Sequence, residues 1–443
     1  MKAILFSAAA GWLARLLAIL LNLVGTPIVL AELGPSRFGL LLVILSISSW
    51  IGFANVGMGR VIANTVARTR RSTSAFKTET VSLATALSAV INLLLFGAAA
   101  AALMVFMWMV PVNETILANY SESIVTVLVV FFGLALWFFL SIFEGIDAGH
   151  HQLHRLYLFQ VASYAVSFAL LLFVFPAHPS IVFAAVLLSL GFLFGSVFHA
   201  LDVVRRNRDL FSSEWRWKPR IARRLLLSSV HFTIISLGIG ILYQLATGLF
   251  GLIAGPDAVI ELGIFMRLMQ SYGGLVVAFT YPLSNILATK LKMRDELTAA
   301  RIVRLSGAVL LAGSCLGGGV FWLFGNLALS IWLRTTIELD RLFLTAAALL
   351  VVLSALQFFF SALLIGTSNI REAARLQVWQ SLIYVPIACV LFKIWGQEGV
   401  LLAMDAVMSA GLAIMIRCVW NHPVIKAAFM VQLVGRTRPS TTI

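Results

Sequence analysis

The charged residues of this chain are spaced so that long apolar stretches lie between them, each followed by a short polar landing. The stretch 38–59 shows the pattern most plainly, since it holds no charged residue. A helix rising ~1.5 Å per residue needs about 20 apolar residues to cross ~30 Å of hydrocarbon, so this stretch predicts a spanning helix. Leu33-Gly34-Pro35 precedes it as a turn, because proline has no N–H to donate and disfavours helix in the residue before it. Arg60, Arg68, Arg70, Arg71 and Lys77 follow it, and such an excess of cations marks a cytoplasmic loop. The same alternation predicts spans at 4–30, 80–110, 124–143, 155–175 and 181–204, then at 225–253, 260–287, 302–333, 343–365, 376–394 and 400–419. Gly25-Thr26-Pro27 is expected to bend the outer end of the first span. The prediction is an all-α polytopic membrane protein with twelve spans and both termini inside.

The pattern also repeats at long range. Gly34-Pro35 returns as Gly255-Pro256, and Asn64 with Ala67 returns as Asn285 with Ala288. A second block, Arg155, Leu156, Gln160 and Tyr164, meets Arg375, Leu376, Gln380 and Tyr384 at nearly the same offset, about half of the 443 residues. Internal symmetry of this kind is the sequence mark of transporter folds. Residues 1–204 and 225–420 are therefore expected to be two six-helix bundles related by a pseudo-two-fold axis along the membrane normal. The basic segment 205–224 would be a cytoplasmic linker on the anionic inner leaflet, and 421–443 a cytoplasmic tail.

Composition agrees with this picture: 61% of the residues are hydrophobic and 11% charged, where a soluble domain has about 25% charged. The net charge of +14 would suit a nucleic-acid partner, but its distribution excludes one. Of the 32 Lys and Arg, only Arg37, Arg334, Arg341 and Lys393 fall on the predicted outer side. Arg15 and Arg267 lie within spans, and all the others are inside, which is the bias expected of a multi-pass protein. Cys315, Cys389 and Cys418 have no metal or disulfide spacing. The first apolar stretch exceeds the roughly 7–15 residues of a signal-peptide core and contains Arg15, so it is read as a retained span.

An ionisable group inside a span costs about 2.5–3.5 kcal/mol on insertion scales, which makes each one a functional candidate. Arg15 and Arg267, one in each half, are the two deep cations, and a guanidinium binds phosphate in a planar, bidentate way suited to an anionic head group. The alternative is that they fix helix packing through an ion pair. Asp405 and Glu261 are the deep carboxylates, able to exchange a proton or hold sodium, with interfacial solvation as the other account. Asn22, Asn55, Asn92, His231, Gln244, Gln270 and Gln357 form a polar set suited to line a water-filled cavity for sugars, although interhelical hydrogen bonding explains each equally well. Asp147-x-x-His150-His151-x-x-His154 resembles a metal cluster but is read as a polar inside loop, with no metal expected.

The residues 30–68, with Leu33-Gly34-Pro35, Phe38-Gly39 and the Gly57-Met58-Gly59 step, resemble the opening of the polysaccharide transporter or oligosaccharide flippase family. That family belongs to the superfamily shared with MATE multidrug exporters and the lipid II flippase. The resemblance implies a MATE-like, V-shaped pair of bundles around a cationic cavity. It further implies alternating access that flips undecaprenyl-pyrophosphate-linked glycans outward across the bacterial inner membrane for surface polysaccharide biosynthesis. No cofactor is expected beyond coupling to H+ or Na+, and membrane lipids, a polysaccharide polymerase and a chain-length regulator are the expected partners. A drug or cation exporter of the same superfamily would call for acids rather than arginines in its cavity. A polytopic polymerase or ligase would need a sizeable outer loop, where the predicted ones are short, so no enzymatic activity is expected.

Overall fold

The structure is a computed structural model, and it describes residues 2–53, 59, 62–63, 66, 74–109, 120–150, 152–211, 218–293, 295–335, 338–367 and 369–420. Among these residues every regular element is helical. The main helices are α1 (Lys2–Leu33), α2 (Pro35–Phe53), α3 (Ser74–Met109), α4 (Tyr120–Gly149), α5 (His154–Phe173), α6 (Ile181–Leu190) and α7 (Leu193–Arg206). They continue as α8 (Pro219–Ala254), α9 (Ile260–Lys292), α10 (Glu296–Leu333), α11 (Arg341–Gly366) and α12 (Ile370–Trp420).

Six of these helices are long and apolar enough to cross a membrane, or up to eight if each bent pair is one span, by length and composition among the described residues. The twelve expected spans fall on helix where they are described, apart from turns at Val174 and at Gly191–Phe192. Two of them share α12, which passes through the non-helical residues Trp395 (φ −126°, ψ 16°) and Gly396 (φ 57°, ψ −133°). Gln380 Nε2 before this break lies 3.5 Å from the Val407 carbonyl after it, so the two arms of α12 run side by side.

The contacts divide the chain into two compact units. The first comprises Met1–Leu268 with Ile331–Thr335, and the second Met269–Ser330 with Thr336–Ile443. In the first, α2 packs along α8, α1 along α5, and α4 against α3, α6 and α7. One apolar core of this unit joins Ile62, Val81, Leu140, Ile146, Val203 and Leu225. In the second unit α11 packs along α12, and Val303, Phe359, Leu363 and Met415 belong to its core. Asp295 leads into α10, accepting the Thr298 N–H at 3.3 Å and Lys290 Nζ at 2.8 Å. The hydrogen bond from Lys290 holds the Asp295 carboxyl below the usual carboxylate range.

The two Gly-Pro turns share a backbone state. Gly34 has φ 75° and Gly255 has φ 97°, a region that L side chains avoid, and each stands directly before a proline. They also sit side by side in the first unit: a Cβ on Gly39 would come within 2.9 Å of the Pro256 carbonyl oxygen. The Gly-hydrophobic-Gly step has a packing reason at its last residue, where a Cβ on Gly59 would lie 2.5 Å from the Ser141 carbonyl oxygen on α4. A Cβ on Gly145 would in turn collide with the carbonyl of Gly59, so backbone meets backbone.

Two breaks in regular helix are held from neighbouring elements. Between α6 and α7 the chain bends by 49°. Ser163 and Ser167 of α5 donate to the Gly191 carbonyl at 2.6 and 3.2 Å, and the Gly195 N–H donates to Ser163 Oγ at 3.1 Å. In apolar surroundings a freed backbone group needs such a partner. The second is in α1, where the helix continues through Pro27. Proline removes the N–H that would have met the Leu23 carbonyl, and Trp332 Nε1 donates to that oxygen at 2.5 Å.

Candidate functional site

The middle of α1 brings Asn22, Thr26 and Arg267 together. Asn22 is tied three ways: its Nδ2 donates to the Ala18 carbonyl at 3.0 Å, and its own carbonyl accepts Thr26 Oγ1 at 2.7 Å. Its Oδ1 accepts Nη1 of Arg267 at 3.3 Å. Arg267 is 8% exposed, so a guanidinium is held inside the unit against α1. Arg15 stands seven residues before Asn22, two helical turns, on the same face of α1 at a separation of about 10 Å along the axis. Its side chain is exposed. Two arginines expected from opposite halves of the sequence thus address one stripe of one helix. A buried guanidinium such as that of Arg267, with a second cation exposed along the same stripe, is suited to an anion.

The other candidates are dispersed. Asn92 is buried on α3 and donates to Ser88 Oγ at 3.0 Å on its own helix. Gln244 is buried on α8, where its carbonyl accepts Ser46 Oγ of α2 beside a 45° bend. Glu261 is half-buried in the first turn of α9. His231 lies on α8 with its side chain outside the described atoms, and Asn55 lies outside the described residues. In the second unit Gln270 is exposed, whereas Gln357 is buried in a reciprocal pair with Gln380, at 2.9 and 3.2 Å. For Gln357 this is the interhelical bonding that the sequence left open. Asp405, on the second arm of α12, is 5% exposed, and neither carboxylate oxygen has a hydrogen-bond partner.

The segment 144–155, expected as a polar loop, is helical as far as Gly149. The reason is that Asp147 does not face water: it is fully buried and accepts His199 Nε2 at 3.0 Å and Arg206 Nη2 at 2.9 Å. Both partners lie on α7, about fifty residues away in sequence, and spacing within 144–155 gave no sign of them. Among the described residues no group of three or more His, Cys, Asp or Glu is placed to hold a metal ion. Sequence reasoning also passed over Trp332, although Pro27 announces an unmet carbonyl four residues before it. Gln380 was visible only as part of the repeat.

Residues 7–287 match the family model of the polysaccharide biosynthesis proteins. Among curated proteins none matches the sequence. Solved structures with similar folds include an inward-facing multidrug resistance MATE family transporter of the MOP superfamily, with a TM-score of 0.71, 17% identity, and coverage of 93% of this chain and 95% of that one. The eukaryotic MATE transporter AtDTX14 matches with a TM-score of 0.68 and 14% identity over 97% of this chain and 98% of its own. A MOP superfamily transporter from Pyrococcus furiosus, described by a reversed polarity of its binding pocket that suggests a different function, matches with a TM-score of 0.64 and 16% identity, over 96% of both chains. The chain is a multi-pass membrane protein with the fold of the MATE transporters, and it belongs to the polysaccharide biosynthesis protein family.

Proposed function

We propose that this protein is a transporter that flips a polyprenyl-pyrophosphate-linked oligosaccharide across the bacterial inner membrane by alternating access, as a step in surface polysaccharide biosynthesis. The observation that carries the reading is the pair Arg15 and Arg267 on one stripe of α1, the second drawn in by Asn22. A pyrophosphate entering a low-dielectric passage must exchange its hydration for fixed cations, and two guanidiniums offer bidentate donors for it. Family membership supports a glycan cargo. The Pyrococcus furiosus transporter is named for a pocket of reversed polarity, which makes a change of cargo by a change of pocket charge a reasonable course for this fold. A drug or cation exporter fits less well, because cations would line its route, and no catalytic role is proposed.

In this reading residues 1–204 and 225–420 act as the two bundles, both termini face the cytoplasm, and Asp405 carries the coupling H+ or Na+. Its buried, unpartnered carboxylate supports that role more strongly than the half-buried Glu261 does. A polymerase and a chain-length regulator would receive the product. The test is export in cells carrying Arg15→Ala, Arg267→Ala and both, with surface polysaccharide and inner-leaflet lipid-linked intermediate measured against protein level. Each single variant should lose most export, by 10-fold or more for about 1.4 kcal/mol of lost binding, and Arg15→Lys should retain part of it. Normal export by the double variant at normal protein level would overturn the cationic route.

A further inference from the structure

The apolar stretches of the second unit carry one charged side chain. Residues 269–289, 305–330, 342–366, 376–392 and 399–416 contain no Lys, Arg, His or Glu, and Asp405 is their sole aspartate. Their other titratable groups are the phenols of Tyr272, Tyr281 and Tyr384 and the thiols of Cys315 and Cys389. The unit's basic residues all lie beyond these stretches. Arg341 and Lys393 are exposed at the ends of α11 and of the first arm of α12, and Arg417 follows Asp405 by about 18 Å of helix. Glu398, about 10 Å before Asp405 on α12, adds an acid rather than a cation. Asp405 itself is 5% exposed, and neither of its oxygens has a partner. It shares a stripe of α12 with Met408, Leu412 and Met415, and Met415 packs in the core with Phe359 and Leu363 of α11. A carboxylate there is a buried unpaired charge, which is costly, whereas a carboxylic acid is neutral.

The unmet polar atoms of this unit follow one line. Among the described residues they are Ser354 Oγ, Gln377 Nε2, the Tyr384 hydroxyl and the two oxygens of Asp405. They are ordered around Gln380, where three helical segments meet. Gln380 exchanges hydrogen bonds with Gln357 of α11 at 2.9 and 3.2 Å, lies 3.5 Å from the Val407 carbonyl, and fills the notch left by Gly411. Ser354 is one turn from Gln357 and Tyr384 one turn from Gln380, both towards the level of the Trp395–Gly396 break. Asp405 is six residues, about 9 Å, from Gly411 in the same direction. Gln377 is one turn the other way, and its backbone carbonyl accepts Ser381 Oγ at 2.8 Å. Amide and hydroxyl groups thus occupy successive turns of an otherwise apolar interior, in a seam that leads to a carboxyl. Each can give and take a hydrogen bond, and buried groups of this kind are met by water. No hydroxyl or amide hydrogen-bonds to the Asp405 carboxyl, and among the described residues no second acid, His or Cys joins it in a metal-holding group. The charge that suits a lone buried carboxyl is a proton.

We propose that Asp405 is held as a neutral carboxylic acid, and that water entering the seam of Gln377, Gln380, Gln357, Ser354 and Tyr384 is the route by which it exchanges its proton. In that exchange the carboxyl O–H bond breaks, the electron pair stays on the oxygen, and the proton passes to a water in the seam. Return of a proton restores the neutral acid. This deepens the reading of Asp405 as the coupling residue and rests on it.

The test uses the purified full-length protein in lipid nanodiscs without cargo, so its outcome is separate from export by the Arg15 and Arg267 variants. Infrared spectra at about pH 7 should show a protonated-carboxyl band that Asp405→Asn lacks. On transfer to D2O the band should shift as the proton exchanges. Gln357→Leu combined with Gln380→Leu removes both partners of the pair together, and should slow that shift roughly 10-fold or more. Tyr384→Phe keeps the ring, loses the hydroxyl, and should also slow it. Exchanging choline for Na+ at constant pH should leave the band in place. Spectra in which the wild type and Asp405→Asn coincide overturn the neutral acid, and loss of the band on adding Na+ overturns it in favour of a metal cation. Equal shift rates in the wild type and the seam variants overturn the route. Melting curves establish that each variant is folded, and if the double variant does not fold, Tyr384→Phe decides.

Discussion

The hydrogen bond between Trp332 and the Leu23 carbonyl shows how one residue in a sequence can set a requirement met far away. Pro27 takes one N–H out of the ladder of α1, and the carbonyl four residues earlier then needs another donor. Trp332→Phe keeps the ring but removes the donor, and should lower stability by about 1–3 kcal/mol. Pro27→Ala restores the helical N–H, so in that background Trp332→Phe should cost little. Thermal melts of the four proteins in one detergent give the coupling, and additive losses would show that the indole does not serve Leu23. The need was legible in the sequence at Pro27; the identity of the donor was not, because it lies over three hundred residues away. The same distinction separates Asp147 from Gly34. Gly34 and Gly255 announce their backbone state locally, through glycine before proline, and both have positive φ. Asp147 looked like part of a loop because its partners, His199 and Arg206, come from another helix.

Among the elements, spans were legible and their interruptions less so. Apolar length placed the helices, since hydrocarbon thickness fixes how many residues a crossing needs. The 49° bend between α6 and α7 left no proline or charge in the sequence to mark it. It depends on Ser163, which both donates to Gly191 and accepts from Gly195, so the bend belongs to α5 as much as to the bent pair. Ser163→Ala strips both bonds at once and should destabilise the protein by about 1–3 kcal/mol. Hydrogen exchange should rise first at Gly191 to Gly195. Ser167→Ala, which removes the longer of the two bonds to the same carbonyl, should do less. Equal losses in the two variants would assign the bend to packing alone.

For the whole molecule, charge distribution carries the remaining prediction. His178 is exposed in the short connection between α5 and α6, and Met293 is exposed beyond α9 among basic residues. With the cation-rich side in the cytoplasm, His178→Cys should react with a membrane-impermeant thiol reagent in intact cells and Met293→Cys should not. The protein's own Cys315, Cys389 and Cys418 must first be replaced. The reverse pattern would invert the orientation.

The reach of Trp332 to Leu23 bears on whether the chain can be cut between its two expected halves. A gene split after codon 268 would yield an amino-terminal piece lacking residues 331–335, which belong to its compact unit. That piece would carry a bare carbonyl in the middle of its first helix, exposed to hydrocarbon in place of an indole. However similar the two halves remain in sequence, the first is completed by a short segment of the second. Split fragments should therefore accumulate only when made together, and a half expressed alone should be taken by the cell's proteases.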